Sequence, residues 1–408
     1  MPTEVPPPPA LPSQDRILVT VTGPDRPGVT ATLTSILVDK GAALADIEQV
    51  VVQGQLTLCL LIDLPGGSDV LKELLFAAKQ LGMGLDFKPV APGVAAAERG
   101  GPAGTQHYVI TAIAPALGAA QVHAVASTLA AEGANIEKIS RLSEGALASI
   151  EIQARLPPGN DHERLKRSLL GAAMKSSFDV ALQREGLYRR SKRLVVMDMD
   201  STLIRIEVID ELARAAGVHK QVAAITEKAM QGEMNYDESL RQRVALLKGL
   251  DAAVLDKIAS ELPLTEGAET LIAVLKRLGY RLAIISGGFS RAADALKRRL
   301  GIDYAFSNNL EIEGGVLTGR VVGPIVNAQR KAELLEMIAQ LEGVVLDQVI
   351  AVGDGANDIL MLEKAGLGIA FHAKTKLREA ADTSISGAGL DAILYLLGIS
   401  AREIKEAR

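Results

Sequence analysis

Three short apolar runs that each end in a polar cluster constrain the fold of the C-terminal half of this chain. Residues 194–197 precede Asp198-Met199-Asp200-Ser201-Thr202, residues 283–285 precede Ser286-Gly287-Gly288-Phe289, and residues 349–352 precede Gly353-Asp354-Gly355-Ala356-Asn357-Asp358. Apolar runs of this length, bounded by turn residues, predict strands buried in a parallel sheet. Ligands of such α/β sheets bind at the carboxyl edge of the strands, so we expect the three polar clusters to meet there.

The residue types in these clusters suit a cation and a phosphate. Two carboxylates two residues apart, as at Asp198 and Asp200, fit an oxygen-loving cation and a nucleophilic or acid–base role. The hydroxyl of Ser286 and the backbone at Gly287 can hold phosphate oxygens. A solvated acidic turn is the alternative for the first cluster alone. The acidic cluster that ends the third run, with Asp354 at its start, favours the cation site.

Lys331 completes the set, because it opens the helical stretch 331–335, where the helix dipole disfavours a cation. In this order the motifs Asp-x-Asp-Ser-Thr, Ser-Gly-Gly-Phe, Lys and Gly-Asp-Gly-Ala-Asn-Asp resemble the haloacid-dehalogenase-type phosphatases. Within them the chain is similar to the phosphoserine phosphatases over residues 185–408. The resemblance implies an α/β fold with a Rossmann-like parallel sheet and an inserted helical cap.

The resemblance also implies roles for the acidic residues. Asp198 would attack phosphorus and form an aspartyl-phosphate, and Asp200 would protonate the leaving oxygen and then activate water. A Mg²⁺ ion would be held by Asp198, the backbone carbonyl of Asp200 and Asp354, with Asp358 orienting the metal's waters. The implied phosphate contacts are Ser286, Gly287, Lys331 and Asn357.

An insertion between the first two motifs predicts the cap. Asp200 and Ser286 are 86 residues apart, whereas a βαβ crossover needs only about 30. The extra sequence, about 205–264, is helical in pattern throughout. A helical lid over the strand ends would expel water and limit the size of the substrate.

Two charged residues of the cap fit the zwitterionic end of an amino acid, Arg243 for its carboxylate and Glu207 for its ammonium group. A solvated helix face with ordinary ion pairs is the alternative for each taken singly. The family pattern Gly-Glu-x-Asn-[Phe/Tyr]-x-x-Ser-Leu-x-x-Arg, matched over residues 232–243, favours the pocket. Met230 and Tyr236 would then be its apolar walls, or alternatively part of the cap core.

The N-terminal half contains two repeats of the order βαββαβ, at 16–90 and 106–184, separated by an Ala/Gly/Pro-rich linker at 91–105. Residues 1–15 form a proline-rich tail that we expect to be disordered. The ferredoxin-like plan of the repeats resembles the ACT domains, small modules that bind free amino acids beside metabolic enzymes. Gly23, Asp25 and Gly28 of the first repeat are the candidate regulatory ligand site, although a turn that needs only their shape is an equal alternative. The matching loop of the second repeat, 114–118, lacks the Asp and Arg.

Composition excludes several classes of function. At 408 residues the chain is long enough for two or three domains, and its net charge of −5 provides no basic field for nucleic acid or anionic membranes. The single cysteine cannot form an internal disulfide, and the N-terminal sequence lacks the features of a secretory signal. We therefore expect a cytoplasmic protein with no nucleic-acid or membrane partner, paired as a homodimer or higher homo-oligomer through its repeats.

These expectations amount to a Mg²⁺-dependent phosphatase that hydrolyses O-phospho-L-serine in the last step of serine biosynthesis, with L-serine as the candidate regulator. Three alternatives stay open. A phosphotransferase or mutase would use the same residues, as would a phosphatase for protein phosphoserine or another small phosphometabolite. An amino-acid sensor with an inactive phosphatase domain is the alternative from a different class.

Overall fold

The computed structural model describes residues 15–65, 69–90, 104–144, 148–159, 161–373 and 375–407. The predicted tail at 1–15 and linker at 91–105 lie almost wholly outside these residues. The chain divides into two compact units, Met1–Ala103 and Gly104–Arg408. The predicted boundary at 184/185, between the second repeat and the phosphatase residues, therefore lies inside the second unit.

The first unit is a four-stranded antiparallel sheet with two helices. Its elements are β1 Asp15–Pro24, α1 Val29–Asp39, β2 Ala43–Val52, β3 Gln55–Leu64, α2 Val70–Gln80 and β4 Gly84–Val90. The strands lie in the order β2-β3-β1-β4, which is the predicted ferredoxin-like plan. Every second residue of β3 is buried, including Leu58 and Leu60, because one face of the sheet packs on the helices.

The second repeat begins the second unit and has the same order of elements. These are β5 Gln106–Ile113, α3 Ala119–Ala131, β6 Asn135–Arg141, β7 Ser149–Leu156, α4 His162–Ser176 and β8 Asp179–Arg184. The predicted βαββαβ order is confirmed in both repeats; residues 145–147, between β6 and β7, lie outside the described residues.

The rest of the second unit is an α/β core. Its strands are β9 Leu194–Met197, β10 Arg281–Phe289, β11 Tyr304–Glu313, β12 Val316–Val322, β13 Val349–Gly353, β14 Leu367–Phe371 and β15 Thr383–Ile385. The core helices are α9 Ala268–Arg277, α10 Ser290–Leu300, α11 Ala328–Leu341, α12 Ile359–Lys364, α13 Thr375–Ala380, α14 Ile393–Leu396 and α15 Ala401–Glu406. The cap helices, numbered before these in chain order, are α5 Val208–Ala215, α6 His219–Met230, α7 Tyr236–Ala245 and α8 Ala252–Ser260.

Parallel pairing in the centre of the sheet explains why the apolar runs are continuous. Strand β9 pairs in parallel with β10 on one side and β13 on the other. Leu194 and Val196 pack in the core on one face of the sheet, and Val195 and Met197 in the core on the other face. A strand covered on both faces needs apolar residues at every position. The predicted parallel sheet is confirmed, and the polar clusters lie at its carboxyl edge.

One sheet of eleven strands runs through the whole second unit, in the order β12-β11-β10-β9-β13-β14-β15-β8-β5-β7-β6. The joint between the α/β core and the second repeat is the antiparallel contact of β15 with β8, at Thr383 and Ala181. Beside it the Thr383 hydroxyl donates to the carbonyl of Val180 at 2.9 Å, and the Gln183 amide donates to the carbonyl of Leu396 at 2.9 Å. The second repeat is thus part of the same folded body as the core.

The predicted helical cap is confirmed as the four helices α5 to α8. A backbone bridge between Ile204 and Leu264 lies at its base, where the chain leaves the core and returns to it. Within the described residues no helix has both the length and the apolar character that crossing a membrane requires.

Candidate active site

Asp198 lies where strand β9 ends, and its carboxylate is fixed by its own turn. Its backbone N–H donates to the carbonyl of Val352 in β13 at 2.9 Å, and its Oδ1 accepts from the Met199 N–H at 2.7 Å. The chain then turns sharply through Ser201, whose φ of 56° is left-handed. The Ser201 hydroxyl donates to Glu207 at 2.7 Å, which ties the turn to the base of the cap.

Lys331 joins the first and last motifs. Its side chain is 0% exposed, and its Nζ lies 2.8 Å from Asp198 Oδ2 and 2.6 Å from Asp358 Oδ1. Burial disfavours the ammonium ion, but the two carboxylates outweigh this effect and raise the pKa of Lys331 above its usual range. The ammonium group of Lys331 therefore stays charged and in contact with Asp198. The second oxygen of Asp358 accepts from the Gly355 N–H at 3.0 Å, so both of its oxygens have partners.

The carboxylates of Asp198, Asp354 and Asp358 lie close enough together to bind one metal ion. One oxygen from each lies within 4.8 Å of the others. Burial and the charges of Asp198 and Asp358 raise the pKa of Asp354 to about 7. Its Oδ1 accepts from the Thr202 hydroxyl at 3.0 Å, which leaves the second oxygen for a ligand. Crowded carboxylates fit a hard divalent cation, which would relieve their repulsion.

Asp200 is buried beside this cluster with one oxygen against glycine. Burial, and next the charges of Glu207 and Asp198, raise the pKa of Asp200 well above that of an ordinary aspartate. Its Oδ1 accepts from the Val208 N–H at 3.3 Å. A Cβ on Gly288 would lie 2.4 Å from its other oxygen, so only glycine allows this approach. This environment therefore favours the protonated form of the Asp200 carboxyl group.

The predicted phosphate loop lies at the end of β10. The Ser286 hydroxyl, which is buried, accepts from the Gly288 N–H at 2.9 Å. The carbonyl of Gly287 accepts from the amide of Asn308 at 2.7 Å and from the Tyr236 hydroxyl at 3.1 Å. A Cβ on Gly287 would lie 2.1 Å from that hydroxyl. Gly287 and Gly288 are therefore both required, because a neighbouring side chain lies too close to each for a Cβ to fit.

Helix α7 brings the cap residues over the loop. Burial raises the pKa of Tyr236 to about 12, and Lys331, Arg243 and both Asp198 and Asp200 lie within electrostatic reach of it. Burial also raises the pKa of Glu207, while Arg243 acts on it in the opposite direction. Glu207 therefore lies within electrostatic reach of the acidic cluster, and Arg243 lies within reach of Glu207 and Tyr236.

Two predicted site residues are placed less closely. The Asn357 side chain is half-buried, and its amide oxygen would lie 2.3 Å from a Cβ on Gly355, so it packs on the acidic loop. Met230 is the last residue of helix α6 and is 69% exposed. Its contribution to an apolar wall stays a prediction.

The sequence analysis assigns no role to several residues that build the site. Thr202 binds Asp354, Asn308 binds the carbonyl of Gly287, and Gly288 makes room for Asp200. Thr202 and Gly288 lie inside the first and second motifs, which are the local signals that could have found them. Asn308 lies in β11, in a stretch with no motif, and its Oδ1 also accepts from the Val326 N–H at 2.8 Å.

The predicted regulatory loop belongs to the first unit. Gly28 begins helix α1 with a φ of 92°, which requires glycine, and the carbonyl of Gly28 accepts from the Thr32 N–H. A Cβ on Gly23 would lie 2.6 Å from the Met83 sulfur. Asp25 is exposed, and its N–H donates to the carbonyl of Gly54. Backbone conformation explains the glycine at position 28, and close packing explains the one at position 23. The side chain of Asp25 presents an exposed carboxylate in the same loop.

Comparison with known proteins identifies the family. Residues 192–366 match the haloacid dehalogenase-like hydrolases, and residues 15–88 and 105–183 each match an ACT domain. A phosphoserine phosphatase from Mycobacterium tuberculosis is 45% identical over 404 residues, covering 97% of this chain and 96% of that protein. The chain belongs to the phosphoserine phosphatase family. A second phosphoserine phosphatase, from Streptomyces coelicolor, is 43% identical over 96% of this chain and 94% of its own length.

A solved structure supports the fold of this phosphoserine phosphatase family member. A haloacid dehalogenase family hydrolase from Salmonella enterica serovar Typhi superposes with a TM-score of 0.63 at 32% identity, covering 71% of this chain and 98% of that one. The family assignment rests on relatives that span both repeats as well as the catalytic core.

Proposed function

We propose that this protein hydrolyses O-phospho-L-serine to L-serine and phosphate, the last step of serine biosynthesis. The observation that carries the proposal is the convergence of Asp198, Asp200, Lys331 and Asp354 at one sheet edge, beneath a cap that presents Glu207 and Arg243. An inactive sensor would have no need to keep Lys331 buried in contact with both Asp198 and Asp358. The full-length similarity to two phosphoserine phosphatases supports the same conclusion.

In the proposed mechanism Asp198 is the nucleophile. Its carboxylate attacks phosphorus in line with the serine oxygen, and the aspartyl-phosphate divides one difficult displacement into two easier ones. The hydrogen bond from Met199 and the contact with Lys331 hold the carboxylate in one orientation. Lys331 would also balance the charge on the phosphoryl oxygens, together with Ser286, the backbone of Gly287 and Asn357.

Asp200 is the proposed general acid and base. Its raised pKa favours the protonated form, which would give its proton to the leaving serine oxygen. Once it has given the proton, the carboxylate can remove one from the water that attacks the aspartyl-phosphate. A positioned acid–base group typically contributes about 10²–10⁴-fold to the rate.

A Mg²⁺ ion is the proposed cofactor. Asp198, Asp354 and the backbone carbonyl of Asp200 would hold it, and Asp358 supports the site through Lys331 and Gly355. When bound, the ion would neutralise charge on the phosphoryl group and on the crowded carboxylates.

Glu207 and Arg243 are the proposed specificity residues, reading the ammonium and carboxylate groups of the substrate, with Tyr236 and Met230 as apolar walls. A helical cap over the strand ends would leave little room for a polypeptide, which favours a small metabolite over a phosphoprotein. A phosphotransferase, which would pass the phosphoryl group to an acceptor other than water, stays the alternative because it would use the same residues.

Phosphate release from a panel of phosphomonoesters tests the proposal. The panel contains O-phospho-L-serine, its D-enantiomer, phosphothreonine, a sugar phosphate, a phosphoserine peptide and an aryl phosphate, each with Mg²⁺ and with a chelator. We expect the highest kcat/KM for O-phospho-L-serine and no turnover in the chelator. An added alcohol that received the phosphoryl group in preference to water would support the transferase instead.

For regulation, we propose that the first repeat binds a free amino acid, with L-serine as the candidate, at the loop of Gly23, Asp25 and Gly28. Asp25→Ala in the whole chain should reduce inhibition by serine, whereas Pro115→Ala, in the matching loop of the second repeat, should not. Inhibition that is purely competitive and equal in both variants would place serine only in the active site.

We also propose that the first repeats pair across subunits. Strand β2 is a free edge of the first unit's sheet, and Val50, Val51 and Val52 are exposed on it. An exposed apolar edge strand is a site for pairing with another chain. Light scattering should therefore give the mass of a dimer or higher oligomer, and Val51→Lys should reduce that mass. A monomer at micromolar concentration would contradict the proposal.

A further inference from the structure

One side chain of the core contacts both the cap and the helix that carries Lys331. Asn327 is the residue that precedes helix α11, and its Oδ1 accepts from the Arg330 N–H at 3.0 Å. Its Nδ2 donates to Asp237 Oδ1 in cap helix α7, also at 3.0 Å. The backbone carbonyl of Asn327 accepts from the Lys331 N–H at 2.9 Å. The residue therefore lies one helical turn from the buried lysine.

The oxygen and the nitrogen of the Asn327 side-chain amide bind different partners. The oxygen is used in capping α11, so the group that faces the cap is the NH₂. A partner in the cap must then be an acceptor, and Asp237 provides a carboxylate. The residue before it, Tyr236, donates its hydroxyl to the carbonyl of Gly287 in the phosphate loop. Two successive residues of α7 thus bind two separate core segments that form the site.

We propose that Asn327 and Asp237 are positioning residues that form a latch, which holds the cap closed in register with the helix of Lys331. Neither residue touches the reacting atoms. Their effect is on the equilibrium between closed and open cap, because the hydrogen bond exists only when α7 lies against the start of α11. The kinetic test of this proposal rests on the proposed phosphatase function, whereas the hydrogen-exchange test does not depend on that function.

The variant Asn327→Asp changes the contact with Asp237 but keeps an N-capping side chain at the start of helix α11. Aspartate caps a helix as well as asparagine does, so α11 and Lys331 should keep their positions. The change replaces the donor that faces Asp237 with a second carboxylate, and the hydrogen bond becomes a repulsion. We expect KM for O-phospho-L-serine to rise roughly ten- to hundredfold, the range for a lost hydrogen bond to a charged group. Saturating substrate restores closure, so kcat should change by less than about threefold.

Substitutions at Asp237 and Glu238 provide a rescue variant and a matched control. Asp237→Asn alone keeps an acceptor for the Asn327 amide and should raise KM only slightly. The double variant Asn327→Asp with Asp237→Asn exchanges donor and acceptor across the same contact, and it should return KM to within about threefold of the unaltered protein. Glu238→Gln removes the next first-turn acid of α7, which is exposed and has no described contact with α11, and should leave KM unchanged.

Hydrogen exchange of the backbone amides of α7 is the readout that does not depend on activity. Exchange should be faster in Asn327→Asp and return to normal in the double variant, while the midpoint of thermal unfolding stays the same. A double variant as impaired as Asn327→Asp, or a single variant with unchanged KM and exchange, would overturn the latch. Failure of the unaltered protein to hydrolyse phosphoserine would instead refute the proposed function, and the exchange pattern would then decide the latch alone.

Discussion

Replacing Lys331 with methionine should destabilise the second unit in a pH-dependent way. The ammonium group lies between the carboxylates of Asp198 and Asp358, at 2.8 and 2.6 Å, and none of the side chain is exposed to water that could screen the charges. Removing one partner of a buried ion pair costs about 3–5 kcal/mol, because the remaining charge stays buried without compensation. Here two carboxylates lose their partner, so we expect the upper part of that range at pH 8.

The sign of the pH dependence follows from Asp358. Burial and the charge of Asp198 raise its pKa to about 6 even beside Lys331, and removing the ammonium ion would raise that pKa further. A carboxyl group whose pKa is raised on folding stabilises the protein at low pH, and this contribution is lost as the pH rises through the raised value. At pH 5 the variant can relieve the repulsion by binding a proton, and most of the destabilisation should disappear.

The measurement is urea unfolding of the whole protein at pH 5 and pH 8 in a chelator. The double variant Lys331→Met with Asp358→Asn is the control, since it removes one of the two uncompensated charges and should recover a large part of the loss at pH 8. The reasoning would be refuted by a loss of stability that is equal at both pH values, or by a double variant less stable than the single one.

Four further outcomes are expected. Asp198→Asn should abolish phosphate release and lower the thermal midpoint less than Lys331→Met does, since side-chain volume is nearly kept and Lys331 retains Asp358; retained turnover would contradict the role of Asp198 as nucleophile. The rise in thermal midpoint that Mg²⁺ produces should be larger at pH 8 than at pH 6, because Asp354 with a pKa of about 7 must lose its proton to bind the ion; an equal rise at both values would contradict this. Arg243→Ala and Glu207→Gln should reduce kcat/KM for O-phospho-L-serine by roughly tenfold or more, as for other charged hydrogen bonds, but less for an aryl phosphate, and equal losses would mean that neither reads the zwitterion. Tyr236→Phe should reduce kcat/KM by only about two- to tenfold, because the Gly287 carbonyl keeps the bond from Asn308; a loss of several hundredfold would show that the hydroxyl has another task.

The sequence predicted those features whose physical causes are local. A strand buried on both faces must be apolar at every position, so β9 and β13 were visible as runs, and the carboxylates that follow them could be placed at one edge. The cap was visible because a crossover of ordinary length could not account for the residues between Asp200 and Ser286.

Features that depend on contacts between distant segments could not be predicted in this way. Asn308 and Asn327 lie in stretches without a motif, and their importance comes from partners 21 and 90 residues away. The continuity of the sheet across the second repeat was also hidden. It depends on β15, which has only three residues and pairs with a strand far earlier in the chain.

That joint has a consequence for the order in which the protein can fold. Thr383 and Val180, which bond across it, are separated by 203 residues. The second repeat leaves the ribosome long before β15 is made, so the edge of β8 must wait uncovered while the core and cap are synthesised. Long-range contacts of this kind form late and slowly, because a large loop must close first. Strand β15 thus completes the sheet, and premature termination before Thr383 would leave β8 as an open edge, where aggregation can begin.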